Sequence, residues 1–465
     1  MNIVSKPPVD HKRDEAPHLA RNLSNRHLQL IAIGGAIGTG LFMGSGKTIS
    51  LAGPSILLVY ATIGFMLFFV MRALGEILLS NLEYRSFADF SGDYLGPWAQ
   101  FFTGWTYWLC WIVTGVADVV AVSGYVSFWF PELALWVPAL GLIATLLALN
   151  LPTVRNFGEV EFWFALIKIV AIAALILAGA YMLITGFALP GGEQASVTHL
   201  WNRGGFFPNG FLGFVAGFQI AVFAFVGIEL VGTAAAETKD PMRNLPKAIN
   251  SIPIRVVLFY LGALFVIITV IPWDEVDPNS SPFVAMFSLA GLGIAAHVVN
   301  FVVLTSATSS ANSGIYSTSR MIYGLATSRL APKALGQLNK RQVPVNALFF
   351  SCVFLLAGVA LLYAGQSIIE AFTIVTTISA LLFIFIWSII LASYLQYRRK
   401  RPDLHEKSTF KMPGGRAAVV MVFAFFAFIL WALAQKPDTA VALKITPFWF
   451  VLLGVVYLVM KAKRR

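Results

Sequence analysis

The sequence predicts an all-α integral membrane protein of twelve transmembrane helices, built as an inverted five-helix repeat with discontinuous helices 1 and 6. Three observations carry that expectation. Of 465 residues, 58% are hydrophobic and 12% charged, with a mean hydropathy of +0.77, whereas soluble chains carry about 25% charged residues. The apolar residues fall in runs of roughly 20, each long enough to cross a hydrocarbon core about 30 Å thick. Two of the runs, five spans apart, are interrupted by glycine in the same way.

The runs begin near residues 29, 54, 98, 134, 159, 211, 254, 284, 345, 367, 416 and 446. Residues 1–27 read as a polar cytoplasmic tail, 28–462 as a single twelve-helix domain, and 463–465 as a short cytoplasmic end. The tail holds no apolar core ahead of a small-residue cleavage site, so the first span is expected to be retained. Spans 1–5 and 6–10 form the two expected repeats, with spans 11 and 12 accessory. Paired interrupted spans at matching positions are the best sequence pointer to that architecture, and they place a binding site at the breaks.

The net charge is +11, and its distribution explains it. Of 33 Lys and Arg, 28 fall on the two ends and on alternate loops, among them Arg72, Arg155, Arg243, Arg320 and the run at 398–401. Four fall on the other loops (Lys47, Arg203, Lys436 and Lys444), and Lys168 lies within a span. Such asymmetry puts both termini in the cytoplasm and marks membrane lipid as the partner of the basic face. The segment "YRRKRP" belongs to this pattern, and no nucleic-acid partner is expected.

The first break lies in "IAIGGAIGTGLF" (31–42), where four of twelve residues are glycine. Gly34 with Gly38, and Gly40 with Gly44, make two G-x-x-x-G pairs, a spacing that serves close helix packing. The second break, "AVFAFVGIELVGT" (221–233), brings Gly227 and Glu229 into an aromatic stretch and favours a binding site. No strand precedes the glycines, which removes a dinucleotide fingerprint. Within hydrocarbon, irregular backbone survives only where protein or a wet cavity satisfies it. If residues 37–40 unwind, the half-helix that follows presents free amides and a positive dipole end suited to a carboxylate. Carbonyls released before each break suit an ammonium or a cation. The two ends together match a zwitterion.

Charged residues inside spans cost roughly 2.5–3.5 kcal/mol each on insertion scales. Lys168, in "FWFALIKIVAIAAL", lies too deep to snorkel easily. Burial disfavours its ammonium, which suits a residue that loads and releases a proton; the alternatives are a permanent ion pair and a steric prop. Glu229 is expected to cap the unwound segment or to take part in proton movement. Asp118 either faces the central cavity or pairs elsewhere in the bundle. Glu76 follows Arg72 by four residues and is expected to pair with it, while Glu161 is expected at the interface with no assigned role. The hydroxyl-rich "LTSATSSANSGIYSTSR" (304–320) either bonds back to its own helix or lines the cavity.

Enzyme chemistry is not expected. Of six histidines only His297 falls in a span, and H-E-x-x-H, P-loop and paired intramembrane aspartates are absent from the sequence. Cys110 and Cys352 both sit in apolar runs, so no disulfide framework or metal site is implied.

"IAIGGAIGTGLFMGSG", "RALGE", "LGPWAQFFTGWTYW", "EFWFALIKI", "FQIAVFAFVGIELVGTAAAETKDP" and "SANSGIYSTSRMIYGLA" together resemble the amino-acid permeases of the amino acid–polyamine–organocation superfamily. Finer features, Asp118 and "LLSNLEY" among them, are similar to the branch that takes D-serine, D-alanine and glycine. The resemblance implies proton-coupled symport of small neutral amino acids across a bacterial inner membrane, with the proton as coupling ion and no cofactor. It implies that the amides of Gly38, Thr39 and Gly40, with the Thr39 hydroxyl, meet the substrate carboxylate. The carbonyls of Ile37, Phe223, Ala224 and Val226 would meet its amine, and the Phe223 ring would close over it. Lys168 would occupy the place that a sodium ion takes in other relatives. Two alternatives stay open: a permease or exchanger for another zwitterion, such as γ-aminobutyrate or an aromatic amino acid, and a receptor that binds without transport.

Overall fold

A computed structural model describes residues 37–84, 86–152, 154–234, 240–363 and 368–463. The expected tail at 1–27 and the start of span 1 lie outside the described residues. Among these residues the assigned elements are helical, apart from one antiparallel bridge between Ala188 and Gln194. Ten apolar helical runs are long enough to cross a membrane, and Trp136–Asn150 is a shorter eleventh. The first run, Gly44–Ser80, is divided by Gly53 (φ 58°) and Pro54 into Gly44–Ala52 and Ile56–Ser80, which makes twelve.

Span 1 contributes Thr39–Phe42 and Gly44–Ala52, span 2 is Ile56–Ser80, span 3 Pro97–Ser127, span 4 Trp136–Asn150 and span 5 Val154–Thr185. Span 6 comprises Gly210–Ala221 and Leu230–Ala234, span 7 covers 252–270, and span 8 is Gly293–Thr327. Spans 9 to 12 are Val345–Leu362, Ile368–Lys400, Gly415–Leu433 and Pro437–Ala462. Three starts differ from expectation: span 5 begins at Val154 rather than near 159, and spans 8 and 12 differ more. Pro282–Leu289 is a separate short helix closed at Gly291 (φ 75°), so span 8 begins nine residues later than residue 284, at Gly293. Span 12 begins at Pro437 rather than near 446. Polar residues in "KPDTAVALK" mask it from hydropathy, but Pro at the first helical position and Asp438 in the first turn both start a helix.

The two halves repeat in element length. Each second span is followed by a short helix, Phe87–Leu95 in one half and Pro282–Leu289 in the other. A long span comes next (31 and 35 residues), then a short one (15 and 18), then a long one again (32 and 33). Five crossings per set is odd, so the second set enters from the opposite face. At about 1.5 Å per residue, spans 3 and 8 run about 46 Å and about 52 Å. Helices of that length must tilt to fit the bilayer.

Spans 3 and 8, and spans 3 and 10, make the most extensive packing contacts. Gly44–Ala52 lies along Gly210–Ala221, and span 5 lies against spans 7 and 8. Span 12 turns Phe448, Val451, Val455 and Leu458 outward, whereas Asp118, Glu161, Lys168 and Glu229 are fully buried. Apolar outside and charged inside is the pattern that bilayer solvation demands.

The pair expected of Arg72 and Glu76 does not form. Glu76 Oε1 lies 2.5 Å from His405 Nδ1, and its Oε2 accepts the Met412 amide at 2.7 Å. Arg72 donates to Asn250 Oδ1 (2.7 Å) and to the Lys411 carbonyl, with its guanidinium 3.8 Å from the Phe410 ring centroid. The segment between spans 10 and 11 folds over this end of span 2. It offers a ring, a carbonyl and an amide where an isolated helix would offer only its own side chains.

Candidate functional site

The first break is extended backbone at Gly38 (φ −129°, ψ −161°), after which helix begins at Thr39. The first-turn amides of a helix have no intrahelical acceptors and carry the positive end of its dipole. In span 6, Gly210–Ala221 tightens into a 3₁₀ turn at Val222–Phe225, Val226 is extended (ψ 137°), and Gly227 takes φ 100° before helix resumes at Leu230. That φ is readily open only to glycine. The Gly227 amide donates to Glu229 Oε2 at 3.2 Å, so the acid two residues on caps the unwound turn. Span 7 adds a π-helical turn at Val256–Leu261 that carries Tyr260, whose hydroxyl donates to the Ala224 carbonyl at 2.8 Å.

The two breaks touch. A Cβ placed on Gly40 would lie 2.6 Å from Ala224 Cα and 2.9 Å from Phe223 Cδ1. Between them is a small pocket lined by Gly38, Thr39 and Gly40 on one side and Phe223, Ala224 and Val226 on the other. Thr114 of span 3 and Ser310 of span 8 complete the lining. Ile37 is not part of it; its carbonyl accepts from Ser306 Oγ at 3.0 Å. The Phe223 carbonyl accepts the Val226 amide (3.1 Å). Each of these carbonyls has a second lone pair for a ligand. The Phe223 ring stands edge-on to Phe372, centroids 6.0 Å apart.

The Thr39 hydroxyl donates to Asp118 Oδ1 at 2.8 Å. Its proton therefore points away from any bound carboxylate, and the amides remain the donors for one. Asp118 is thus one hydroxyl removed from the pocket. Lys168 is not a lining residue; its Nζ donates to Ser309 Oγ at 3.1 Å, beside Ser310 in the chain. Glu229 serves the second break and accepts from Tyr107 OH at 3.4 Å. Of the residues expected to bind through their backbone, all but Ile37 are brought together, and the two proton candidates are held at separate places.

Glu161 is a correction. It is fully buried, accepting from Ser309 Oγ (2.8 Å) and Asn312 Nδ2 (2.6 Å). Span 5 starts at Val154, earlier than the apolar run suggests, so Glu161 lies two turns inside the helix. The hydroxyls of span 8 divide three ways: Ser310 lines the pocket, some bond back to their own helix, and others reach neighbouring spans. Thr305, Thr308 and Thr318 bond to carbonyls of their own helix, while Ser306 and Ser309 reach other spans. Thr114 and Glu161 were within reach of a periodicity argument. They precede Asp118 and Lys168 by four and seven residues, spacings that share a helix face.

A family model described as "Amino acid permease" matches residues 27–465. A D-serine/D-alanine/glycine transporter of Escherichia coli (strain K12) is 63% identical over 454 residues, 97% of each chain. Amino-acid permease AapA of Bacillus subtilis (strain 168) is 53% identical over 439 residues, 94% of each chain. Aromatic amino acid transport protein AroP of Escherichia coli O6:H1 is 40% identical over 440 residues, 95% of each.

Proposed function

The chain belongs to the amino acid permease family, and we propose on that premise that it is a proton-coupled symporter of small neutral amino acids. Glycine, alanine, D-serine and D-alanine are its substrates, carried into the cell by alternating access. The observation that carries the reading is the contact between the two breaks around one pocket. One wall offers helix-start amides and the other offers carbonyls, so the two poles of an α-amino acid meet opposite partial charges in a single small space. The small volume and the buried Phe223 leave little room for a long side chain. The relative that is 63% identical is named for D-serine, D-alanine and glycine, the same substrate class.

Substrate binds through the backbone of Gly38, Thr39, Gly40, Phe223, Ala224 and Val226, while Ile37, next to Gly38 in the chain, stays outside the lining with its carbonyl held by Ser306. Lys168 and Glu229 handle the coupling proton, and Asp118 borders the cavity. The basic face is cytoplasmic with both termini on it, in a bacterial plasma membrane. The test is uptake of labelled glycine into liposomes holding purified protein, driven by an inward proton gradient, with a panel of competitors. Glycine accumulates only with the gradient, and D-alanine and D-serine compete. Uptake indifferent to the gradient overturns the coupling. Competition by γ-aminobutyrate or aromatic amino acids, with none from D-alanine or D-serine, overturns the substrate class.

A further inference from the structure

Glu161 and Lys168 lie two helical turns apart on one face of span 5, both fully buried. Ser309 of span 8 sits between them: Lys168 Nζ donates to Ser309 Oγ (3.1 Å), and that hydroxyl donates to Glu161 Oε2 (2.8 Å). The other Glu161 oxygen is held by Asn312 Nδ2 (2.6 Å), and Asn312 Oδ1 accepts Asn150 Nδ2 of span 4 (2.7 Å). One turn before Ser309, Ser306 bonds the Ile37 carbonyl at the first break (3.0 Å). The same face of span 8 therefore touches the acid, the base and the backbone that leads into the proposed substrate site.

We infer that Glu161 is the second proton seat of the coupling site, so that Lys168, Ser309 and Glu161 act as one unit that carries a single proton. This rests on the symport reading above. The hydrogen bonds run in one direction, and a concerted shift moves the Nζ proton to Ser309 Oγ and the Oγ proton to Glu161 Oε2. Ammonium and carboxylate become amine and carboxylic acid, with no charge leaving the unit. Loaded with its proton, the unit is neutral in either form. Emptied, it is an amine beside a buried carboxylate, a net negative charge that an apolar interior disfavours.

Among the described residues, other charges near the unit are few. Lys168 faces Asp118 as well as Glu161, and Asp118 is bonded to Thr39. Span 4 carries no charged residue, and span 7 carries one, Arg255 near its start. Tyr260 of span 7 is bonded to Ala224. Span 8 adds His297 and Arg320 toward its two ends, with Arg320 lying over Tyr316. On span 5 itself, Glu159 is the nearest other acid in sequence.

Glu161→Gln reverses the arithmetic. The empty unit becomes neutral and the loaded one carries a positive charge, so loading is disfavoured. Opposite charges at such range shift titrations by about one to three pH units. Full-length protein in liposomes is assayed for gradient-driven glycine uptake across external pH, and for glycine counterflow without a gradient. In Glu161→Gln the alkaline limb of driven uptake moves about one to three units toward lower pH, while counterflow persists. Glu161→Asp, which keeps the charge, returns the profile toward wild type. A Glu161→Gln profile that superimposes on a normally coupled wild type overturns this inference alone. A wild type with counterflow but no driven uptake overturns the symport reading and this inference with it. If Glu161→Gln does not reach the membrane, Ser309→Ala decides, since it keeps both charges and cuts the link. Loss of driven uptake with counterflow intact supports the unit, and unchanged driven uptake overturns it.

Discussion

Gly40→Ala adds one methyl group where the two breaks meet. Its Cβ would fall 2.6 Å from Ala224 Cα and 2.7 Å from Ala224 N, where ordinary contact starts at 3.4 Å. Both obstacles are backbone atoms, so no rotamer change relieves the clash. Spans 1 and 6 must part by the difference, about 0.8 Å. Overpacking of this kind costs about 1–3 kcal/mol. If the strain is felt in the substrate-bound form, where both breaks must close on one ligand, affinity falls about 5- to 150-fold. Equilibrium binding of labelled glycine to purified protein measures this, with thermal unfolding as a check that the chain is folded. Gly38→Ala is the matched control, because its Cβ would lie 3.2 Å from Ser310 Oγ, the movable end of a side chain. Gly38→Ala therefore loses less. A folded Gly40→Ala protein that binds glycine as wild type does, or that binds better than Gly38→Ala, refutes the claim that the breaks form one site.

Lys168→Ala removes the base at the proposed coupling site and is expected to abolish gradient-driven accumulation while glycine binding partly survives; concentrative uptake at wild-type rate counts against the assignment. Glu229→Gln replaces the charged acceptor of the Gly227 amide with a neutral one, costing about 1–2 kcal/mol, and is read as a lower unfolding temperature. His405→Ala strips a partner from the buried Glu76 carboxylate. Leaving such a group less satisfied costs about 1–3 kcal/mol, and an unchanged unfolding temperature would show that the loop after span 10 does not brace span 2.

Much of this architecture is legible along the chain because the bilayer imposes simple rules. The run 417–434 is apolar throughout, and hydrocarbon allows little else to span it. The breaks are legible for the same reason, since four glycines at 34–40 and a Gly–Glu pair at 227–229 conflict with helix and need a compensating use. What escapes is whatever depends on a partner from another span. Glu161 reads as interfacial because its own flank is polar, while the hydrogen bonds that help to make its burial tolerable come from Asn312 and Ser309, some 150 residues away. Arg72 and Glu76 have the spacing of a pair, yet each finds better partners in the 405–412 segment. The start of span 12 escapes because a helix can begin in polar sequence before it enters lipid.

Each break is served by a buried acid, and span 3 reaches both. At the first, Asp118 of span 3 holds the Thr39 hydroxyl. At the second, Glu229 holds the Gly227 amide and is itself held by Tyr107 of span 3. Span 3 packs along span 8, whose Ser317 donates to Tyr107 and whose Ser306 donates to Ile37. The unwound backbone is therefore not loose; its polar groups are tied to two long, mutually packed helices. Any motion that opens the pocket has to break ties to this pair or carry spans 1 and 6 past it together, because Gly40 leaves no gap for one break to move without the other. A substrate bridging amides on one break and carbonyls on the other reinforces that joint movement. Such a bridge is how ligand binding at the centre can bias which face is open.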